Sequence, residues 1–295
     1  MTEQVFAAIE TGGTKILARL VSAHGEVLAD GRWPTATPAR ALEDLAGFIS
    51  KALCPGRSLG GIGIAAFGPL VRDALSRDYG LVLSTPKPGW SGSNLRAALA
   101  ARFGVAVDID TDVNAAARAE WRRGAGRGMR SLAYVTVGTG IGGGLVVDGR
   151  ALQGALHPEI GHIRLARREG DRTPSACPFH DNCVEGLASG AAIAHRLTPG
   201  RTLADDAQVL AIVADYLGEL AATLTLSWSP QRIVWGGGVM SPQLLEPLRA
   251  ALHRSLAGYG VAEAVSAPQY CVLAALEHAG LEGALIMAAR CADVF

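Results

Sequence analysis

The feature that most constrains the fold of this chain is a strand–turn–strand unit that occurs twice, far apart in the sequence. In each copy two apolar, strand-like runs flank a glycine-rich turn. The copies are Val5–Glu10, Thr11–Lys15 and Ile16–Ser22, and Leu132–Val137, Gly138–Gly143 and Gly144–Val147. Two such units predict two related lobes, each of which begins as a β-meander and continues with β/α units.

The segments between and after these units fit a two-lobed α/β chain. Strands are predicted at Gly61–Ala66, Val105–Asp110 and Arg232–Trp235, and helices at Asn114–Arg122, Gln208–Leu226 and about Leu281–Cys291. We place the first lobe at 1–112 and the second at 113–277. The C-terminal helix, about 278–295, is expected to pack back onto the first lobe.

Composition narrows the function. The 295 residues are 49% hydrophobic and 18% charged, which is enough for two globular lobes. Net charge is zero, with 27 basic and 27 acidic residues, so neither nucleic acid nor an anionic membrane is predicted as a partner. No signal peptide or uninterrupted apolar span of 18 residues is present, and five cysteines do not suggest a disulfide framework. We expect a cytoplasmic protein.

The glycine-rich turns are candidate phosphate-binding loops. Successive backbone N–H groups in such turns bind anions, and Gly236–Gly238 follows a third apolar strand. Ordinary hairpin turns are the alternative. Gly138, Gly140 and Gly143 also satisfy the dinucleotide-binding spacing G-x-G-x-x-G. That motif requires a helix directly afterwards, whereas a strand is predicted here, so an NAD-dependent oxidoreductase is disfavoured.

A cysteine- and histidine-rich segment indicates a metal site. Cys177, His180 and Cys183 have the spacing C-x2-H-x2-C, and His162 would complete a tetrahedral set suited to structural zinc. His157 competes with His162 for the fourth position. The alternative is a chance grouping of buried cysteines and surface histidines.

Three carboxylate side chains are candidates for catalysis or for substrate binding. Asp112 lies where a strand meets a helix, at the predicted lobe boundary, and could accept a proton from a hydroxyl. Capping the following helix is an equally good explanation of an Asp at this position. Glu159 and Glu185 flank the metal segment and could bind sugar hydroxyls, although an exposed Glu needs no function.

Taken together, these motifs resemble the ROK family of sugar kinases and repressors. The matching segments are Ile9–Lys15, Thr111–Ala116, Gly138–Gly144, His157–His162, Cys177–Cys183, Glu185–Gly190 and Gly236–Val239. They span most of the chain in a fixed order. Within the family the chain looks most similar to bacterial fructokinases, through Phe67–Pro69, Tyr79-Gly80, Thr85–Trp90 and C-x2-H-x2-C.

The resemblance implies an actin/hexokinase-like, ribonuclease H-like duplicated fold with a central cleft. It implies ATP-dependent phosphorylation of the C6 hydroxyl of a hexose, with fructose as the expected acceptor, mannose as a second one, and Asp112 as base. Magnesium would be held by Glu10 through water, zinc would be structural, and the protein would be a homodimer. Sugar contacts would come from Gly68, Asn114, Glu159, His162 and Glu185. Nucleotide contacts would come from Thr11, Gly12, Gly13, Thr14, Lys15, Gly138, Thr139, Gly140, Gly236, Gly237, Gly238 and Val239.

Other functions remain open at this point. A glucokinase or an N-acyl-hexosamine kinase of the same family would use the same machinery on another sugar. A sugar-sensing regulator without catalysis would be expected to lose Asp112 or the glycine turns, which are all present. A repressor of the family would carry a DNA-binding domain, and only eight residues precede Ile9.

Overall fold

The computed structural model describes residues 2–53 and 55–291. Within these residues the strands are β1 (Glu3–Thr11), β2 (Lys15–Ser22), β3 (Val27–Pro34), β4 (Arg57–Ala66), β5 (Val107–Thr111), β6 (Ser131–Val137), β7 (Ile141–Val147), β8 (Arg150–Ala151), β9 (Ile233–Gly236) and β10 (Cys271–Leu273). Cys54 and the end of the predicted C-terminal segment, 292–295, lie outside the described residues.

The helices are α1 (Pro38–Ala52), α2 (Leu95–Phe103), α3 (Asp112–Arg123), α4 (Val184–Ala188), α5 (Gly190–Arg196), α6 (Ala207–Trp228), α7 (Pro242–Leu256) and α8 (Ala279–Arg290). Short 3-10 helices lie at Ile160–His162 and Leu203–Asp205. Helices α1 and α7 begin in the same way, with a capping hydroxyl, from Thr37 and Ser241, followed by a proline at the first helical position.

The chain forms two compact units. Among the described residues, the first contains those up to Ala119, Gln153–His157 and those from His278 to Cys291, and the second contains Glu120–Leu152 and Pro158–Glu277. The predicted boundary at Asp112 falls on the first residue of α3, and the first unit continues to Ala119. It does so because Ala115 packs in a cluster of small and apolar residues with Ala284 and Met287 of α8.

The sheet of the first unit has the order β3-β2-β1-β4-β5. Strands β1, β2 and β3 pair antiparallel, whereas β4 pairs in parallel with both β1 and β5. Helix α8 lies close to β4, where a side chain on Gly63 would overlap the carbonyl group of Ala284. On another part of the sheet, buried side chains of α1 and α2, such as Leu45 and Leu99, complete the core.

The sheet of the second unit repeats this plan, with the order β10-β9-β6-β7-β8. Strands β6, β7 and β8 pair antiparallel, and β9 pairs in parallel with β6 and β10. Strand for strand, β6 to β10 therefore correspond to β1, β2, β3, β4 and β5. The predicted duplication of a β-meander followed by β/α units is confirmed at the level of topology.

The second glycine-rich turn is shorter than the sequence suggests. Strand β7 begins at Ile141 and includes Gly142 and Gly143, so the predicted turn Gly138–Gly143 was wrong in its extent. Gly143 is required by packing, because a Cβ there would lie 2.3 Å from Cδ1 of Ile160. A strand follows this turn, which removes the structural basis of the dinucleotide-binding motif.

Helix α6 is long and apolar enough to cross a membrane by length and composition alone. Its position explains that composition differently, because Val213, Leu217 and Leu220 are fully buried in the core of the second unit. A core helix covered on most sides has the same hydropathy as a membrane span.

Candidate active site and metal centre

Asp112 is the first residue of α3, directly after the end of β5. The hydroxyl of Thr111 accepts a hydrogen bond from the backbone N–H of Asn114 (3.2 Å), which is the interaction expected of a helix N-cap. Asp112 is half-buried, and its Oδ1 accepts the N–H of Val113 (2.9 Å). Because Thr111 provides the cap, capping does not by itself explain an Asp at position 112.

Beneath Asp112 lies a buried charge cluster that the sequence analysis missed. Asp110 is 1% exposed and accepts hydrogen bonds from Arg72 (2.7 Å) and from the side-chain amide of Asn114 (2.9 Å). Arg118 of α3 forms a further ion pair with it at 3.1 Å. The signal available in the sequence was the spacing of Asp108 and Asp110, which places two carboxylates on one face of β5, directly before Asp112.

Asn114, predicted as a sugar contact, is fully buried in this cluster. Its Nδ2 is occupied by Asp110, and its buried Oδ1 has no hydrogen-bond partner among the described residues. An unpaired buried amide oxygen is costly, so Asn114 retains an acceptor that a ligand hydroxyl could satisfy.

The first glycine turn, between β1 and β2, has all its carbonyl groups engaged. The O atom of Gly12 accepts from the hydroxyl of Thr35 (2.8 Å), that of Gly13 from Nζ of Lys87 (2.7 Å), and that of Thr14 from the N–H of Thr35 (3.0 Å). Gly13, Thr14 and Lys15 are exposed. The turn is thus held rigidly from behind while its tip faces solvent.

Thr11, predicted as a nucleotide contact, differs from the rest of this turn. It is 1% exposed as the last residue of β1, and its hydroxyl has no hydrogen-bond partner in the described part of the chain. A residue this deeply buried supports the turn from within the sheet.

Glu10, predicted to hold magnesium through water, lies against the first turn of α8. A Cβ on Gly280 would be 2.8 Å from its Cδ. Burial raises the pKa of Glu10 above its ordinary value, although His278, Lys15 and the backbone N–H of Leu281 all favour the charged form. His278 and Leu281 belong to α8 and its N-terminal flank, whereas Lys15 follows Glu10 closely in the chain. Sequence spacing alone did not connect α8 with this carboxylate.

Gly68, another predicted sugar contact, precedes a cis peptide bond to Pro69. Next to it lies His157, whose ring would be 3.0 Å from a Cβ on Gly68 and whose Nε2 accepts the N–H of Leu70 (3.3 Å). His157, the alternative fourth metal ligand, is therefore engaged by the loop that carries Gly68 and does not join the cysteine cluster.

In the second unit, the predicted nucleotide-binding segments come together. The N–H of Val239 donates to the carbonyl group of Val137 (3.0 Å), just before the turn Gly138–Gly140. The N–H of Gly190, at the start of α5, donates to the carbonyl group of Gly138 (2.7 Å). Gly237 has a φ of 90°, and a Cβ there would lie 2.3 Å from the carbonyl oxygen of Val137, so this position requires glycine. Thr139 in the Gly138–Gly140 turn is exposed, and so are Gly237 and Gly238 in the neighbouring segment.

Glu185 and Glu159, the predicted sugar-binding carboxylates, are placed differently. Glu185 is half-buried in α4, and its Oε2 accepts the N–H of Ile141 (3.0 Å) directly after the second glycine turn. Glu159 is exposed and precedes the 3-10 helix that carries His162. Both lie next to the metal segment in sequence, and Glu185 is additionally fixed to the turn.

His162, Cys177, His180 and Cys183 form one cluster, with ligand atoms all within 4.8 Å of one another. Sγ of Cys177 lies 3.7 Å from Nδ1 of His162 and 3.8 Å from Nδ1 of His180. Bond lengths of about 2.3 Å to sulfur and about 2.0–2.1 Å to nitrogen in a tetrahedral site would place such atoms about 3.6 Å apart. The donor set and its spacing therefore fit a tetrahedral metal ion.

A buried ion pair that the sequence analysis missed also holds the loop of the metal centre. Asp171 binds both terminal nitrogens of Arg196 in α5 (2.7 and 3.0 Å) and accepts the hydroxyl of Tyr216 in α6 (2.6 Å). Burial acts to raise the pKa of Asp171, but hydrogen bonds from Arg196, Tyr216 and Thr173 outweigh it and hold the pKa well below its usual range. The loop is thus attached to the helical core independently of any metal.

Comparison with known proteins agrees with the motifs. The pattern of the ROK family matches residues 6–291. The chain is 39% identical to a fructokinase of Zymomonas mobilis, with 97% of each chain covered.

Two solved structures share the fold. A ROK hexokinase of Thermus thermophilus has a TM-score of 0.75 at 30% identity, covering 96% of this chain and 97% of that one. A ROK family glucokinase of Streptomyces griseus, solved with glucose and AMPPNP, has a TM-score of 0.76 at 26% identity, covering 97% and 99%. The expected α/β fold of the actin/hexokinase type is confirmed, and the chain belongs to the ROK family.

Proposed function

We propose that this protein is an ATP-dependent hexose kinase that transfers the γ-phosphoryl group of ATP to the C6 hydroxyl of D-fructose, with mannose as a second acceptor. The observation that carries the proposal is the position of Asp112. It is a half-buried carboxylate at the head of α3 whose capping role is taken by Thr111. The full-length similarity to a fructokinase and the ROK hexokinase fold support a sugar kinase.

The proposed chemistry assigns one task to each group. The sugar oxygen attacks the γ-phosphorus, the bond to the bridging oxygen of ADP breaks, and Asp112 accepts the hydroxyl proton. The N–H groups of the exposed residues Gly13 and Thr14, the Gly138–Gly140 turn and Gly236–Val239 would bind phosphates and nucleotide. Magnesium bound with ATP would neutralise phosphate charge, and Glu10 would bind its water ligands.

The proposed sugar contacts are Gly68, Asn114, Glu159, His162 and Glu185. Fructose is favoured because the similarity to the Zymomonas mobilis fructokinase, at 39% identity, exceeds that to the Streptomyces griseus glucokinase, at 26%. Glucose kinase activity is the second candidate, since the glucokinase covers nearly the same length of chain and was solved with glucose.

We also propose that His162, Cys177, His180 and Cys183 bind a structural zinc ion. Four ligands from the protein leave no open position, which is typical of structural sites and not of catalytic ones. Cys177 and Cys183 form no disulfide bond, so both sulfur atoms are available as metal ligands. A cytoplasmic location stays a prediction. A homodimer remains a prediction from the family resemblance.

The test is ADP release from MgATP with fructose, mannose, glucose, N-acetylglucosamine and N-acetylmannosamine, each compared with a reaction that lacks sugar. We expect the highest kcat/KM with fructose. Turnover with glucose or an amino sugar alone would overturn the acceptor and retain the kinase. Saturable sugar binding without ADP release in the presence of any sugar would indicate a sugar-sensing regulator and not a kinase.

A further inference from the structure

Lys87 is a charged residue that is not among the proposed catalytic, nucleotide-binding or sugar-binding residues. The chain has 27 lysine and arginine residues, and only Lys15, Lys51 and Lys87 are lysines. Lys15 ends the first glycine turn, and Lys51 is exposed near the end of α1. An ammonium group is a compact point charge with three rotatable donors, whereas a guanidinium group is a planar fork. Lys87 is thus one of three lysines in a chain whose other basic residues are arginines.

The surroundings of Lys87 connect the first glycine turn with Asp112. Its Nζ donates a hydrogen bond to the carbonyl oxygen of Gly13 (2.7 Å) and lies 4.5 Å from the centre of the Phe67 ring. Burial lowers the pKa of Lys87 from its ordinary value, and the negative charge of Asp112 opposes that shift. The half-buried ammonium group therefore has the turn on one side and the carboxylate of Asp112 within electrostatic range.

The segment that carries Lys87 is fixed in place. Pro86 and Pro88 flank it and restrict the backbone on both sides. Trp90 is buried and packs edge-on against the same Phe67 ring at 5.0 Å, and its Nε1 donates to the carbonyl group of Ala36 (2.8 Å). A charge held by a rigid segment needs little reorganisation when a substrate arrives, which is the condition for strong electrostatic catalysis.

We propose that Lys87 is a catalytic residue whose ammonium group contacts an oxygen of the transferred γ-phosphoryl group. The inference rests on the proposed function, because it takes Asp112 as the base and the first glycine turn as a phosphate site. As the sugar O–P bond forms and the bond to ADP breaks, the proton moves from the sugar hydroxyl to Asp112. Lys87 keeps its own proton throughout and supplies only positive charge to the phosphoryl oxygens.

Kinetics of Lys87→Met test the role of the charge, because methionine keeps an unbranched apolar side chain over Phe67 and removes the ammonium group. Removing one such electrostatic group typically lowers kcat about 10²–10³-fold. We expect a loss of that size, with the KM for fructose within about threefold and an unchanged melting temperature. Lys87→Arg should recover at least about tenfold over Lys87→Met, since it restores the charge. The matched control, Lys51→Met, should leave kcat unchanged.

Lysine acylation tests the contact directly and does not depend on turnover. With only three lysines, brief treatment with an acetylating reagent followed by peptide mass spectrometry gives the reactivity of each one. MgAMPPNP with fructose should lower the labelling of Lys87 several-fold and leave Lys51, the internal control, unchanged. Equal labelling of Lys87 with and without MgAMPPNP, or wild-type kcat in Lys87→Met, would overturn the inference. Failure of the proposed function would appear separately, as wild-type protein that releases no ADP with any sugar.

Discussion

Asp110 and Asp112 lie two residues apart in the chain, but their carboxylates differ in burial and in their contacts. Asp110 is buried and bound by Arg72, Arg118 and Asn114, so its charge is fully engaged within the protein. Asp112 is half-buried at the head of α3, where the hydroxyl of Thr111 already serves the helix terminus. A carboxylate used as a base has to reach substrate and exchange a proton, which fits Asp112 and excludes Asp110.

Asp112→Asn should lower kcat about 10²–10⁴-fold, the usual contribution of a general base, because an amide cannot accept the hydroxyl proton. Affinity for fructose, measured by calorimetry, should stay within about tenfold, since the side chain keeps its size. Asp73→Asn, an exposed aspartate of the same unit, is the control and should retain wild-type kcat. Normal turnover by Asp112→Asn would remove Asp112 from the mechanism.

Asp110→Asn should instead destabilise the fold, because it leaves the buried guanidinium groups of Arg72 and Arg118 without their counter-charge. Breaking a buried ion pair from one side typically costs about 3–5 kcal/mol. The urea midpoint should therefore fall clearly, whereas Asp148→Asn, which breaks the exposed pair with Arg130, should not move it. Equal urea midpoints for Asp110→Asn and wild type would show that the cluster is not stabilised by this charge.

Residue type and spacing in the sequence were enough to identify candidate site residues. They could not identify interaction partners that come from a distant segment of the chain. The four clustered cysteines and histidines follow from short spacings plus one nearby histidine. Asp110 with Arg72, and Asp171 with Arg196 and Tyr216, are long-range pairs. The alternating aspartates single out Asp110, but no pattern in the sequence identifies its arginine partner or the Asp171 cluster. Only the fold brings such charges together, so spacing could not reveal them.

At the scale of elements, periodicity predicted the existence of the long segments and missed their limits. The strand expected at Gly61–Ala66 extends back to Arg57, and the helix expected at Asn114–Arg122 begins at Asp112. The length of the second glycine turn was overestimated, because Gly142 and Gly143 belong to β7 and a Cβ at Gly143 would overlap Ile160. Glycine in a strand that touches another backbone is indistinguishable in sequence from glycine in a turn.

The metal segment, 162–183, is the element whose role can be tested by removing its ion. His162 lies three residues after Glu159, and Cys183 two residues before Glu185, so loss of the ion should displace these two proposed sugar contacts even though Asp171 still holds the loop to Arg196. Dialysis against a chelator should lower the melting temperature and raise the KM for fructose. Zinc, and not magnesium, should reverse both effects, because thiolate and imidazole ligands select zinc. Metal-free protein with wild-type KM and melting temperature would refute the proposal.

For the whole molecule, the sequence-based prediction that agrees best with the structure is the duplication, because the two sheets have the same strand order. The repeated strand–turn–strand unit predicted a duplicated architecture, and β1 to β5 correspond in order to β6 to β10. The repeat was detectable because each copy starts with a hairpin, whose pattern is local in sequence. The parallel strands β5 and β10 are short and join the sheet through long connections, and β10 was not predicted.

Choice of nucleotide is a property of the whole protein that heat denaturation can measure. A ligand that binds only the native state at 100 times its Kd stabilises that state by about 2.7 kcal/mol, so MgATP should raise the melting temperature by several degrees. NAD at the same concentration should not, because the strand β7 follows the Gly138–Gly140 turn where a dinucleotide site requires a helix N-terminus. Since Mg²⁺ alone could affect the metal centre, the reference sample contains magnesium without nucleotide. A rise in melting temperature with NAD but not with MgATP would contradict the kinase assignment. It would indicate instead that the glycine turns bind a dinucleotide, as in an oxidoreductase.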